Sequence, residues 1–181
     1  MIDRRTLLAS LPAAALASSA FAAAPDANTV FLDTKDGRIT IQLRPDLAPR
    51  HVAQIKALVK DGFYNGIVFH RVIEGFMAQT GDPTGTGGGG SKLGNLAAEF
   101  TPTPFKRGTL GMARTDDPNS ANSQFFICLA DSGFLDNKYT VFGEVTSGMD
   151  VVDKIKKGAK GSGSVAGPDK IVKMQLAADA K

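Results

Sequence analysis

The sequence contains little of what a disulfide-stabilised or zinc-binding protein requires. Cys128 is the only cysteine among 181 residues. A single cysteine cannot form an intramolecular disulfide, and it cannot supply the ligands of a cysteine-based zinc site. Because Cys128 lies in the apolar run 125–129, we expect a buried and unreactive thiol.

Neither sign of charge dominates the chain. There are 21 Lys and Arg residues against 18 Asp and Glu residues, a formal net charge of +3, and the basic residues form no stripe. Such a balance argues against nucleic acid as a partner. The length suits one domain with a substantial core.

A strongly apolar run of membrane-spanning length is also missing. The run that follows Arg4 and Arg5 and extends to Phe21 is Ala-rich, short and weakly apolar, so it does not predict a stable membrane anchor. With small residues at Ala20 and Ala22, it has the features of a signal peptide, residues 1–22, cleaved after Ala22. The paired arginines fit either a twin-arginine export signal or an ordinary positive n-region. We therefore expect a mature domain of residues 23–181, exported and, in a bacterium, periplasmic.

The first part of that domain predicts a hairpin followed by a helix. Residues 29–33 and 38–44 alternate between apolar and polar side chains, as half-buried strands do, and Asp36-Gly37 supplies the turn. Residues 46–61 carry an apolar stripe at helical spacing, with Pro49 in the first turn. His51 neighbours that stripe without a partner in the sequence, so we expect it at the surface.

The second part of the domain predicts more short strands and a second helix. The expected strands are 109–114, 124–129, 140–145 and 170–177, and the expected helix begins at Gly148-Met149. Many short strands with only two helices favour a closed or nearly closed β-barrel over βαβ units.

The central stretch, residues 69–82, contains the candidate site. It reads FHRVIEGFMAQTGD, two apolar runs that flank a Glu-Gly turn, and its period-two alternation puts Phe69, Arg71 and Ile73 on one face. Arg71 could be an edge-strand residue whose stem packs while its head stays in water. Alternatively, its guanidinium is fixed beside Phe76 and Met77, which would suit an uncharged apolar ligand with carbonyl oxygens. The stretch contains no nucleophile, no paired carboxylates and no cluster of metal ligands.

A glycine-rich segment, residues 83–92, follows the central stretch. Gly85, Gly87 and Gly90 match the spacing G-x-G-x-x-G. A dinucleotide site would also need a buried strand before this segment and a helix that opens on its last glycine. Neither context is present, so we expect a flexible surface loop rather than a nucleotide-dependent enzyme.

Three blocks of the sequence resemble the signatures of the cyclophilin-type peptidyl-prolyl isomerases. They are the central stretch, Gly111-Met112-Ala113-Arg114 with the run 122–127 (NSQFFI), and the run 134–143 (FLDNKYTVFG). The blocks come in the family's order and cover the chain from about Thr29 to its end. The resemblance implies a mainly β fold, an eight-stranded antiparallel barrel capped by two α-helices.

The resemblance also implies the roles of individual residues. Arg71 and Gln79 match the catalytic arginine and its glutamine partner, and no cofactor is implied. Ala113 and Arg114 match the segment whose backbone pairs with an extended peptide. Seven further residues match substrate-binding positions. Four of them match the apolar proline pocket, and these are Phe76, Met77, Phe126 and Leu135. The other three are Gln124, Phe134 and Tyr139.

Three of these positions depart from the pattern of eukaryotic members. Arg114 stands where asparagine is usual, Phe134 where many carry tryptophan, and Tyr139 where many carry histidine. The departures at Phe134 and Tyr139 are similar to the bacterial exported branch. The indole N–H is lost at position 134, so we expect weak cyclosporin binding.

We therefore expect a monomeric, exported prolyl isomerase whose partners are proline-containing, partly folded polypeptides. A second hypothesis is a proline-peptide-binding chaperone or scaffold module with incidental turnover. Arg71 with Gln79 favours the enzyme, because recognition alone needs no donor directed at a twisted amide.

Overall fold

A computed structural model describes residues 26–180 of the chain. The expected signal peptide, residues 1–22, lies outside these residues. The structure contains eight strands, two α-helices and two short 3-10 helices, Gly133–Leu135 and Ala177–Asp179. The strands are β1 Thr29–Thr34, β2 Gly37–Leu43, β3 Arg71–Ile73, β4 Met77–Thr80, β5 Thr109–Met112, β6 Phe125–Cys128, β7 Val141–Ser147 and β8 Lys173–Leu176, and the helices are α1 Pro49–Lys60 and α2 Met149–Lys154.

All eight strands belong to one antiparallel sheet in the order β3-β4-β6-β5-β7-β2-β1-β8. The expected mainly β fold with eight antiparallel strands and two helices is confirmed. The closed barrel is not confirmed, because no ladder among residues 26–180 joins the outer strands β3 and β8. The flanking segments meet instead at an isolated bridge between Val68 and Lys170.

The β1–β2 hairpin forms as its alternation predicts. Val30, Leu32, Ile39 and Ile41 are fully buried on one face of the two strands. The turn between the strands ends at Gly37, whose φ of +135° is a backbone conformation that residues with a Cβ rarely adopt. The hairpin prediction is confirmed, and its inner face forms part of the main core.

Helix α1 packs its apolar stripe against the core, also as predicted. Val52, Ile55, Leu58 and Val59 are buried, and Pro49 is the first helical residue, where its missing N–H has no consequence. The helix starts three residues later than expected, because the backbone N–H groups of residues 47 and 48 bond in a turn to the Arg44 carbonyl.

The prediction that His51 lies at the surface is wrong. Its side chain is fully buried, and Nδ1 lies 2.6 Å from Oε2 of Glu99. Glu99 also accepts the backbone N–H groups of Arg50 and His51, so it caps the first turn of α1 from another part of the chain. Burial lowers the pKa of His51 against the opposing effect of Glu99. Its Nε2 has no partner, which also disfavours protonation, so the ring is neutral and donates from Nδ1.

Cys128 is buried in β6, as expected. Burial raises the pKa of its thiol to about 12, so the thiolate is scarcely populated near neutral pH.

The C-terminal strand is shorter than predicted, because its alternation is interrupted. Ile171 and Met174 are buried, whereas Val172 between them is 54% exposed. The Ile171 N–H bonds to the Ile67 carbonyl and the Val172 N–H bonds to the Asp33 carbonyl. The chain therefore enters the sheet only at Lys173.

Among residues 26–180, none of the helices has both the length and the hydropathy that a membrane crossing requires.

Candidate active site

A cavity of about 710 Å³ opens where β3, β4, β6 and the end of β5 meet three connecting segments. Ten of the eleven candidate residues line it, from four separate parts of the sequence. They are Arg71, Phe76, Met77, Gln79, Ala113, Arg114, Phe126, Phe134, Leu135 and Tyr139. The eleventh, Gln124, lines an adjoining cavity of about 400 Å³.

A tight hairpin brings Arg71 and Gln79 together. Arg71 in β3 pairs directly with Gln79 in β4, and side chains of directly paired residues lie on the same face of a sheet. Gly75 makes the connecting turn with a φ of +71°. The predicted common face of Phe69, Arg71 and Ile73 is wrong, because Phe69 precedes the strand and is fully buried while Arg71 is exposed.

The Arg71 guanidinium is held by two neutral oxygens. Its Nη1 donates to Oε1 of Gln79 at 3.3 Å, and its Nε donates to the Ser162 carbonyl at 3.1 Å. The side chain is therefore fixed rather than free in water, although it remains solvent-accessible. No carboxylate among residues 26–180 forms an ion pair with it.

Gln124 fixes the orientation of Gln79. The Gln79 amide nitrogen donates to Oε1 of Gln124 at 3.0 Å. The Gln124 amide nitrogen donates in turn to the carbonyls of Gly87 and Gly89, at 3.0 and 2.8 Å. These hydrogen bonds leave the Gln79 oxygen free to face the guanidinium. The glycine-rich segment therefore determines, through Gln124, the orientation of the Gln79 side-chain amide.

Beside the guanidinium lies an apolar depression. Met77, Phe126 and Leu135 form it and are nearly inaccessible to water. The ring of Phe126 stacks on Phe105 at 5.8 Å between centroids and meets Tyr139 edge-on at 5.9 Å. These contacts hold the walls in place, and their chemistry suits a small apolar ring such as that of proline.

Two phenylalanines form the rim of this depression. The Phe134 ring is 62% exposed and lies 5.2 Å from the ring of Phe76, which is half-buried. An exposed aromatic ring at the mouth of an apolar cavity is typical of a ligand-binding rim.

The sequence predicted a backbone role for Arg114, but its side chain also contributes to the site. It lies beyond the end of β5, and its guanidinium donates to the Lys138 carbonyl at 2.9 and 3.2 Å and to the Thr115 carbonyl at 2.8 Å. It also lies 4.4 Å from the centre of the Tyr139 ring. Arg114 thereby ties the segment that carries Tyr139 to the opposite wall of the cavity.

Residues 158–165, which we call the glycine strap, form a wall of the cavity that sequence reasoning missed. The strap lies along β3, where the Val72 N–H bonds to the Gly163 carbonyl and the Gly158 N–H bonds to the Val72 carbonyl. A Cβ on Gly163 would lie 3.2 Å from Cγ of Arg71. The only sequence signal was a Gly/Ser-rich loop, which does not reveal pairing with a strand about 90 residues away.

His70 is a further cavity residue that the sequence reasoning did not single out. Neither ring nitrogen meets a hydrogen-bond partner within residues 26–180. Burial lowers its pKa, with Asp82 opposing that effect, so the ring is neutral near pH 7.

The glycine-rich segment folds around Asp82. Its carboxylate accepts the backbone N–H groups of Thr84, Thr86 and Gly87. Burial opposes ionisation, but hydrogen bonds from the Thr84 hydroxyl and from backbone N–H groups of the segment prevail and hold the pKa of Asp82 at about 2. Since these N–H groups converge on a carboxylate and no helix opens on the segment, the arrangement does not fit a phosphate-binding loop.

No group of three or more potential metal ligands occurs among residues 26–180.

Together, the antiparallel sheet, the held guanidinium and the apolar depression define a class of protein. The family model for cyclophilin type peptidyl-prolyl cis-trans isomerase/CLD matches residues 29–176. The protein belongs to this family of enzymes.

Individual relatives agree with this assignment. A probable peptidyl-prolyl cis-trans isomerase of Brucella suis biovar 1 is 57% identical over 175 residues, covering 90% of this chain and 89% of the relative. The crystal structure of the cyclophilin AquaCyp293 from Hirschia baltica superposes with a TM-score of 0.77 at 31% identity, covering 86% of this chain and 76% of that one. A cyclophilin type isomerase from Cryptosporidium parvum, crystallised in the presence of the dipeptide Ala-Pro, superposes with a TM-score of 0.76 at 29% identity, covering 82% and 98%.

Proposed function

We propose that this isomerase binds a proline side chain in the depression formed by Met77, Phe126 and Leu135, and that Arg71 stabilises the twisted X–Pro amide. The observation that carries the proposal is the guanidinium held beside the apolar depression in one cavity. The Cryptosporidium parvum relative crystallised in the presence of Ala-Pro supports a proline-containing ligand.

The reaction needs a positioned donor more than it needs reactive groups. The two isomers of an X–Pro bond differ by only about 0.5–1 kcal/mol, but the barrier between them is about 18–20 kcal/mol because twisting breaks amide resonance. The uncatalysed exchange accordingly takes about 10–100 s. A catalyst must bind the twisted amide more tightly than either planar form.

Arg71 can meet that requirement. When the amide twists, its nitrogen regains a lone pair that can accept a hydrogen bond. A guanidinium has five N–H groups, and Gln79 and Ser162 accept two of them, so three remain for the substrate. Because both acceptors are neutral, the guanidinium charge stays available for the transition state.

Gln79, Gln124, Ala113 and Arg114 bind the peptide on either side of the proline in this proposal. The Ala113 N–H already donates to the Gln124 carbonyl. An extended client would therefore bond to the remaining backbone groups of this segment, in the manner of an added strand. Phe76, Phe134 and Tyr139 enclose the ring from the rim.

Exchange NMR on a blocked Ala-Pro peptide tests the proposed function. The protein is expected to broaden the cis and trans resonances at substoichiometric concentration, because each molecule converts many peptides. Saturable binding without faster exchange would instead support the chaperone or scaffold hypothesis.

We further propose that the protein acts on partly folded polypeptides after export to the periplasm. The support is the sequence of residues 1–22, with its paired arginines, apolar run and small residues before Ala23. N-terminal sequencing of the protein from a periplasmic fraction should give a chain that begins at Ala23. A chain from that fraction that begins at Met1 would contradict cleavage.

A further inference from the structure

Among residues 26–180, three cationic side chains and no carboxylate line the active-site cavity. The cations are Arg71, Arg114 and Lys138. The neighbouring His70 ring is neutral near pH 7, because burial lowers its pKa. The local excess of three positive charges thus equals the formal charge of the whole chain, +3.

The two cavity arginines differ from the other arginines of the described residues in having no acidic partner. Residues 26–180 contain six arginines. The four outside the cavity form ion pairs with carboxylates, and these are Arg38, Arg44, Arg50 and Arg107. Arg71 and Arg114 bond to neutral oxygens instead.

Lys138 follows the same pattern as the two arginines. Its Nζ donates to the Phe134 carbonyl at 3.2 Å and belongs to none of the ion pairs among residues 26–180. The nearest acid along the chain, Asp136, uses Oδ1 to accept the Phe105 N–H. On the other wall, Asp117 uses Oδ1 to accept the Asn119 N–H. No ion pair among residues 26–180 therefore neutralises the three cavity cations, although the ionised Asp82 carboxylate acts on His70 in the cavity wall.

The cations also stand on different sides of the proline depression. Arg71 belongs to the β3 edge, whereas Arg114 and Lys138 are joined across the Tyr139 side. Low-dielectric walls concentrate the field of such charges within a cleft. A peptide held along the cleft would place the side chains that flank its proline near one cation or another.

We propose that the enzyme prefers client segments with an aspartate or glutamate adjacent to the proline. The inference rests on the proposed function of the same site and specifies its substrate class. Charge complementarity of this kind affects which partner is chosen more than it affects maximal affinity. It would therefore determine which proline sites of a client the enzyme acts on.

A matched peptide series tests the preference. Blocked peptides Ala-X-Pro-Ala and Ala-Ala-Pro-X, with X as Glu, Gln or Lys, are compared by kcat/KM in exchange NMR, each against its own uncatalysed rate. In at least one series, kcat/KM is expected to fall in the order Glu, Gln, Lys. The Glu-to-Lys ratio of kcat/KM should be about three to ten at low salt, the range for partly exposed charge pairs. The ratio should shrink towards one in about 1 M salt, where the screening length is about 3 Å.

Two variants locate the preference in the cavity. Lys138→Gln and Arg114→Gln should each lower the Glu-to-Lys ratio, and Lys138→Gln leaves the guanidinium contacts to the Tyr139 segment in place. Lys173→Gln is the matched control, since Lys173 is exposed on β8 and outside the cavity, and it should keep the wild-type ratio.

The outcomes separate this inference from the proposed function. Equal rates for the Glu, Gln and Lys peptides in both series would overturn the charge preference and leave the isomerase intact. A preference that persists in high salt, or survives Lys138→Gln and Arg114→Gln, would also overturn it. Failure to accelerate any of the peptides would refute the isomerase activity itself.

Discussion

Replacing Arg71 with alanine should lower kcat/KM for an Ala-Pro peptide by about 10²–10³, the usual effect of deleting a preorganised donor. The fall should lie mainly in kcat, because the guanidinium acts on the twisted amide more than on the planar forms. Gln79 and Ser162 fix the guanidinium before substrate arrives, so no other side chain replaces it. Exchange NMR on the variant and the wild type measures the effect directly.

Arg71→Lys is the matched control for charge. A lysine keeps the positive charge but loses the planar fork that bonds to Gln79 and Ser162 at once, so it should recover only part of the loss. Urea unfolding should give similar midpoints for the three proteins, because Arg71 is solvent-exposed. A loss below about threefold in Arg71→Ala, far under the range for such donors, would mean that the residue is structural.

Replacing Gly81 with alanine should strongly lower the stability of the protein. Gly81 is buried with a φ of +90°, and a Cβ there would overlap the carbonyl oxygen of Ser123. That oxygen already accepts the Tyr64 hydroxyl at 3.0 Å, and the Gly81 carbonyl accepts the Ser123 hydroxyl at 2.8 Å. Overpacking of about 1–3 kcal/mol and left-handed strain of about 1–2 kcal/mol together predict a loss of about 3 kcal/mol in the free energy of unfolding.

Gly75→Ala separates the two contributions. Gly75 has a φ of +71°, but a Cβ there would meet nothing within 4 Å, so only the backbone strain of about 1–2 kcal/mol applies. Urea midpoints at constant m measure both variants. Equal shifts in the two variants would show that the contact with Ser123 contributes nothing.

The sequence predicted best the elements whose determinants are local. The alternation around Ile39 and Ile41 predicted β2, and the stripe from Val52 to Val59 predicted α1, because side chains that share a face recur at the period of the element itself. Ten of the candidate residues line one cavity, although it was the family resemblance, rather than any pattern, that brought distant segments together.

The errors and omissions concern contacts between distant parts of the chain. His51 is buried because Glu99, 48 positions away, caps its helix and binds its ring. The strap pairs with β3 across a separation of 91 residues, from Val72 to Gly163, so a Gly/Ser-rich composition indicated only a loop. For Arg114, the sequence predicted a backbone role, whereas its side-chain contact with Tyr139 depends on how two segments pack.

The glycine strap also covers an edge of the sheet. β3 is the outer strand beside the cavity, and an unpaired outer strand is a ready template for another chain. The strap occupies both backbone groups of Val72, so a polypeptide cannot add to β3 as a further strand along its length. In the proposed function, a client would therefore bind in the cavity without extending the sheet at this edge.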